Sequence, residues 1–159
     1  MSFLLVNVGI SDLKVASSPT ILRTVLGSCV GICLYDSKTR IGSLAHIMLP
    51  TMPPSDSKRE KYANTAIPMM VEKMKEAGAY CDHITAKITG GSAMFKLKQD
   101  SLMMQIGTKN IEETKNVLAM LRIPLLSEDV SGDYSRTIDF YMEDGVVKIK
   151  YHSKEFKYI

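Results

Sequence analysis

The sequence predicts an α+β protein in which mixed β-sheets pack as a sandwich with flanking helices. Three features predict it. Short runs rich in Val, Ile and Leu fill the first third, two stretches in the middle repeat apolar residues at helical spacing, and strand-like runs return near the end. Strands that flank two helices without alternating with them fit a sandwich better than a regular βαβ winding. The chain has 159 residues, 45% apolar and 23% charged, so one domain over residues 1–159 with a sizeable core is expected and a disordered tail is excluded.

The elements follow in order. Ile21 to Val25, Val30 to Tyr35 and Ile41 to Leu49 read as strands, and the polar stretch Asp36 to Arg40 joins the last two into a hairpin. Gly31 and Gly42 leave room there for another backbone to approach. Pro50, Pro53 and Pro54 mark a loop in which Met52 is expected at the surface. Tyr62, Ala63, Ala66, Ile67, Met70, Val71, Met74 and Ala77 recur on one helical face, with Gly78 as the cap. Pro68 inside that pattern predicts a late start or a kink near Asn64. Ile84 to Thr89 is a strand ending in Gly90-Gly91. A second helix follows Thr108 as N-cap, with Ile111, Val117, Leu118 and Leu121 inward and Pro124 as its stop. Ile123 to Leu126, Thr137 to Tyr141 and Val146 to Tyr151 are strands, and Asp144-Gly145 signals a hairpin between the last two. The remaining methionines, 11 in all with Met52, serve mostly as gap-fillers in the interior.

Charge narrows the function. Twenty Lys and Arg against 17 Asp and Glu leave +3, spread thinly, which gives no electrostatic footprint for nucleic acid. No apolar run approaches the roughly 18–20 residues that span a bilayer, so no membrane insertion is expected. Met1 to Val6 lacks both a basic start and a small-residue cleavage site, which sets the expectation of a cytoplasmic protein. Three cysteines in such a chain are expected to be reduced thiols.

Chemistry concentrates in two segments. In Thr24-Val25-Leu26-Gly27-Ser28-Cys29, a cysteine follows Gly-Ser at the mouth of a strand, where a tight turn can present amide N–H groups beside the sulfur. His46 is the sole polar ring in an apolar strand. The hairpin returns it towards Cys29, so it is either a base for that thiol or a core histidine satisfied by a carbonyl. Cys33 and Cys81 are expected in the core, and His83 and His152 at the surface. Without C-x-x-C or H-x-x-x-H spacing, no metal site is expected. Gly90-Gly91-Ser92 lacks the Lys-Ser/Thr of a phosphate loop and reads instead as a turn that brings backbone to the active site. No cofactor is implied.

Six segments then occur in order: Leu-Gly-Ser-Cys-Val-Gly at 26–31, Ala-His-Ile-Met-Leu-Pro at 45–50, Lys-Tyr-Ala-Asn-Thr-Ala at 61–66, Ala-Lys-Ile-Thr-Gly-Gly-Ser-Ala-Met-Phe at 86–95, Ile-Gly-x-x-Asn at 106–110 and Ser-Glu-Asp at 127–129. Over residues 20–141 the chain resembles the CheD family of chemoreceptor glutamine deamidases. The resemblance implies Cys29 as nucleophile, His46 as base and Thr24, the nearest threonine upstream, as the third member, acting through its hydroxyl or its carbonyl. Backbone N–H groups around Ser28 and Cys29 would hold the oxyanion, with Gly27, Ser28, Gly90, Gly91 and Ser92 beside the substrate. The family's fold resembles the catalytic domain of the cytotoxic necrotizing factor toxins. Methyl-accepting chemoreceptors are the implied substrates and a CheC-type phosphatase the implied regulator. Val130 to Tyr134 departs from the family's Thr-Gly-Gly-Asn-like turn. Two rivals stand beside this reading: another kind of cysteine hydrolase, and a non-catalytic adaptor that binds receptors or the phosphatase.

Overall fold

The computed structural model describes residues 2–94 and 102–159. Among the described residues, ten strands and two α-helices form three layers: β1 Leu4–Asn7, β2 Leu13–Ser17, β3 Thr20–Leu26, β4 Val30–Asp36, β5 Ile41–Ile47, α1 Ala63–Glu76, β6 Ile84–Gly90, α2 Leu102–Met120, β7 Leu125–Val130, β8 Arg136–Tyr141, β9 Val147–Tyr151 and β10 Phe156–Tyr158. One sheet has the order β1-β3-β8-β9-β10 and the other β2-β5-β4-β6-β7. Each is mixed, with β1 parallel to β3 in the first and β6 parallel to β7 in the second. The α+β sandwich of mixed sheets with flanking helices is therefore the architecture observed.

β4 shows why its sequence is apolar throughout. It lies in the middle of the second sheet, which is covered on one face by α1 and α2 and on the other by the first sheet, so all seven residues are buried. Val30, Ile32 and Leu34 pack with Ile67, Met70 and Met74 of α1, whereas Cys33 and Tyr35 face Leu22, Ile138 and Phe140 across the sandwich. Each such aliphatic side chain contributes about 2 kcal/mol on burial. The β4–β5 turn closes on Asp36, whose carboxylate accepts from the Lys38 N–H, the Thr39 hydroxyl and the Tyr80 N–H.

Several expectations need correction. α1 begins at Ala63, so Pro68 delays nothing: only the Asn64 carbonyl loses its helical donor, and the Asn64 side chain instead ties the helix start to the Met52 N–H. α2 begins at Leu102, placing Thr108 inside the helix; the preceding Met-Met-Gln-Ile run is itself strongly helix-forming. Ile111, Val117 and Leu118 are buried as expected, but Leu121 lies past the helix end and is exposed. β5 stops at Ile47, and β7 starts only after Pro124, which has no N–H for a ladder. What approaches the Gly31 position is the Leu26 and Ile138 side chains. Cys81 opens a short turn after α1 and is exposed, Met52 is half-buried, and Met120 is 78% exposed. His83 is half-buried, 3.9 Å from the Asp36 carboxylate. β1, β2 and β10 had no counterpart among the predicted strands. Leu13 and Val15 alternating with Lys14 and Ala16 was the available signal for β2.

Candidate active site

At one end of the sandwich the chain crosses from β3 in the first sheet to β4 in the second through Gly27-Ser28-Cys29. β4 and β5 pair with Gly31 opposite His46 and Val30 opposite Ile47. Alternation puts Cys29 and Gly31 on one face, the face that looks across the sandwich. Cys29 and His46 are thus diagonal neighbours, about 7–8 Å apart in backbone terms, a span an imidazole can cross. Thr24 comes from the opposite sheet, and its hydroxyl lies 2.7 Å from His46 Nδ1. Thr24 and His46 are both buried, while Cys29 is half-exposed. The structure thus brings Thr24 to the ring and His46 to the cysteine's side of the sheet.

The same hydroxyl settles which ring nitrogen is free. Thr24 Oγ1 also lies 2.7 Å from the Val8 carbonyl oxygen, which can only accept. The single hydroxyl proton goes to Val8, so His46 Nδ1 must carry its hydrogen and donate it to Oγ1. Nε2 is left with the lone pair. The N-terminal segment reinforces the placement: the Ser11 N–H donates to the His46 carbonyl and the His46 N–H to the Asp12 carbonyl. Of the two routes open to Thr24, the side chain is the one used.

The crossover is clamped through its carbonyls. The Ser92 N–H donates to Gly27 at 3.0 Å, the Gly91 N–H to Cys29 at 2.9 Å, and Asn110 Nδ2 to Ser28 at 3.2 Å and to Met48 at 2.9 Å. With the carbonyls turned inward, the Ser28 and Cys29 N–H groups donate to no backbone carbonyl among the described residues. Gly90 makes the clamp possible: at φ +102°, a Cβ there would stand 2.3 Å from the Cys29 oxygen. A Cβ on Gly107 of α2 would likewise stand 2.4 Å from the Gly91 oxygen. Gly27 and Ser28 remain partly exposed at the mouth. Gly90, Gly91 and Ser92, expected beside the substrate, are buried behind the crossover, where the Gly91 and Ser92 N–H groups are spent holding it. The 90–92 turn brings backbone to the crossover as its sequence predicts, whereas nothing in the sequence assigned a role to Asn110 or Val8. The signals available for Asn110 were its place beside Ile111 on the helix and at the end of the Ile-Gly-x-x-Asn block. Phe95, the last residue of its sequence block, lies outside the described residues.

The electrostatics favour neutral partners. Burial pushes the Cys29 thiol above its ordinary range, opposed by its own backbone N–H. Burial also pulls His46 down to about 4. Between about pH 6.5 and 4 the unfolded chain therefore binds a proton at this position that the folded chain refuses, so stability falls as pH drops. The loss expected across that window is about 3 kcal/mol. It is checked by urea denaturation at several pH values, where His46→Leu should flatten the acid side of the curve and an unchanged slope would refute the assignment. Among the described residues no three His, Cys, Asp or Glu side chains form a cluster that could hold a metal ion. An open groove of about 400 Å³, lined by residues that include Ile10, Arg23 and Val25, reaches Thr24. Neither this groove nor a larger one of about 470 Å³ between Tyr134 and Tyr151 is lined by Cys29 or His46.

Comparison with known proteins gives the family. A family model described as CheD, chemotactic sensory transduction, matches residues 48–151. A Clostridium novyi protein is 49% identical over 148 residues, covering 91% of each chain, and one from Caldanaerobacter subterraneus subsp. tengcongensis is 44% identical over 158 residues, covering 98% of each. The chain belongs to the CheD family. Both relatives carry the name "Probable chemoreceptor glutamine deamidase CheD". The family model begins two residues after His46, but alignment with the CheD relatives extends over nearly the whole chain. A solved structure, the hypothetical protein YfiH of Bacillus licheniformis, superposes with a TM-score of 0.50 at 14% identity. It matches 77% of this chain, which spans about half (51%) of that protein, and it supports the sandwich fold of this CheD chain alone. No described helix is long and apolar enough to cross a membrane.

Proposed function

We propose that this CheD-family chain is a protein-glutamine deamidase that converts glutamines of chemoreceptors to glutamate with release of ammonia. The observation that carries the mechanism is the Thr24–His46 hydrogen bond, which frees Nε2 on the side of the sheet where Cys29 stands. Because thiol and imidazole are both neutral, His46 Nε2 takes the Cys29 proton as sulfur attacks the amide carbon, with no standing ion pair beforehand. The oxyanion forms against the Ser28 and Cys29 N–H groups. The imidazolium gives its proton to the departing ammonia, leaving a thioester, and His46 then activates water to release glutamate and restore the thiol. Thr24 holds the tautomer throughout. Gly27 and Ser28 form the mouth that admits the side chain.

Exposed Ile10 and Val25 line the groove beside Thr24, and Met94 covers Gly27, which suits the apolar face of a receptor helix. A cytoplasmic location follows from that substrate. A CheC-type phosphatase is its proposed regulator, by the family resemblance. The function is tested by incubating the chain with a receptor cytoplasmic fragment and following ammonia and the mass gain of converted glutamines. No conversion would refute it. Free glutamine in place of the fragment should give none.

Thr24 yields a sharper test. Thr24→Val should lower kcat about tenfold to a hundredfold through loss of the tautomer lock, and Thr24→Ser should restore most of it. Nitrogen NMR of His46 reports the tautomer directly. A valine variant with the ring still protonated on Nδ1 and full activity would remove Thr24 from the mechanism.

A further inference from the structure

The turn that clamps the crossover is itself held by one guanidinium. Arg136 opens β8, and its side chain is 0% exposed. Its Nε donates to Asp129 Oδ2 at 3.2 Å, and Nη1 donates to Ser92 Oγ at 2.8 Å and reaches the Gly90 carbonyl at 3.5 Å. Nη2 reaches the Tyr134 hydroxyl at 3.4 Å, with the Tyr134 ring centroid 4.7 Å from the guanidinium carbon. Asp129 is steadied in turn by the Tyr151 hydroxyl. Ser92 accepts from Arg136, so its own proton is free for the Tyr134 carbonyl at 2.7 Å. Its backbone N–H holds Gly27, and the neighbouring Gly91 N–H holds Cys29.

A buried ion pair is a weak source of stability, since well-packed apolar residues of the same volume serve as well or better. What the arginine supplies is direction. Its planar fork reaches separate acceptors in fixed geometry, which neither lysine nor an apolar side chain can do. Its bonds go to the turn behind the crossover, and none goes to the Cys29 sulfur.

We propose that Arg136 is a positioning residue that, through Ser92 and Gly90, aims the Ser28 and Cys29 amides at the oxyanion of the deamidation step. The proposal rests on the deamidase reading. A misplacement of about 1 Å at reacting groups can cost about a hundredfold in rate. The test uses the full chain with Arg136→Met paired with Asp129→Leu, which removes both charges together and leaves neither buried alone, and Arg136→Lys as a second variant. On a receptor fragment, kcat should fall about tenfold to a hundredfold with KM changed less than about twofold. Alkylation of Cys29 by a small haloalkane, a reaction that builds no oxyanion, should keep its rate. Amide NMR resonances of Ser28 and Cys29 should move in both variants.

Wild-type kcat in a folded double variant would overturn the proposal. So would alkylation falling in step with kcat, because the thiol and not the amides would then be affected. If the wild type itself released no ammonia, the deamidase reading would fail. The NMR shifts would still decide the positioning role: unmoved Ser28 and Cys29 resonances would overturn it.

Discussion

Cys29→Ala should lower ammonia release from a receptor fragment by at least about a thousandfold, because the thioester cannot form without the sulfur and a triad stripped of its nucleophile keeps only residual activity. Neither remaining thiol can substitute. Cys33 sits in the inter-sheet core, where burial pushes its thiol far above the ordinary range, and Cys81 stands on the turn that follows α1. The fold should survive, since Cys29 is only half-buried and the clamp on its carbonyl uses backbone atoms that alanine retains. A stability change below about 2 kcal/mol is expected by denaturant titration. Full conversion of receptor glutamines by the alanine variant, read by mass spectrometry, would dispose of the mechanism.

Gly90→Ala should damage both stability and rate. The position has φ +102°, which an L side chain resists, and the new methyl would stand 2.3 Å from the Cys29 carbonyl oxygen, where no flexible side chain can yield. Strain at such a backbone position costs about 1–3 kcal/mol before the collision is counted. Relief requires Cys29 to move, and with it the N–H proposed to face the oxyanion, so kcat should drop at least about tenfold. Gly9→Ala is the stability control, because a Cβ there meets nothing within 4 Å. A Gly90→Ala protein that melts and turns over like the wild type would show that the clamp does not set the site.

The helices and the β4–β5 hairpin were legible because burial writes them locally: apolar periodicity on α1, a continuous apolar run on β4 and a polar turn around Asp36. The hairpin register followed from that turn: it sets Gly31 opposite His46 and so returns the histidine towards the start of β4, as the residue spacing predicts. The start of α2 was misplaced because Thr108 looks like an N-cap, whereas its hydroxyl group is simply part of a helix that begins six residues earlier at Leu102. The short edge strands β1 and β10 escaped notice because exposed edges leave little periodicity to read.

The sequence by itself determined the fold class, the cysteine and histidine that share one face of the sandwich, and the family resemblance that names their chemistry. Those depend on residue type and near-neighbour spacing. Only the tertiary structure decided which atom of Thr24 meets the ring, which nitrogen of His46 is free, and what holds the crossover. Val8, Thr24 and His46 meet from three strands or their ends, and Arg136 reaches Ser92 across 44 residues of chain. Hydrogen bonds of that kind depend on angstrom-scale distances between segments remote in sequence, and no local pattern of residues encodes such distances. The same physics buried Gly90, Gly91 and Ser92 at the back of the crossover, where the Gly91 and Ser92 amides hold the Cys29 and Gly27 carbonyls.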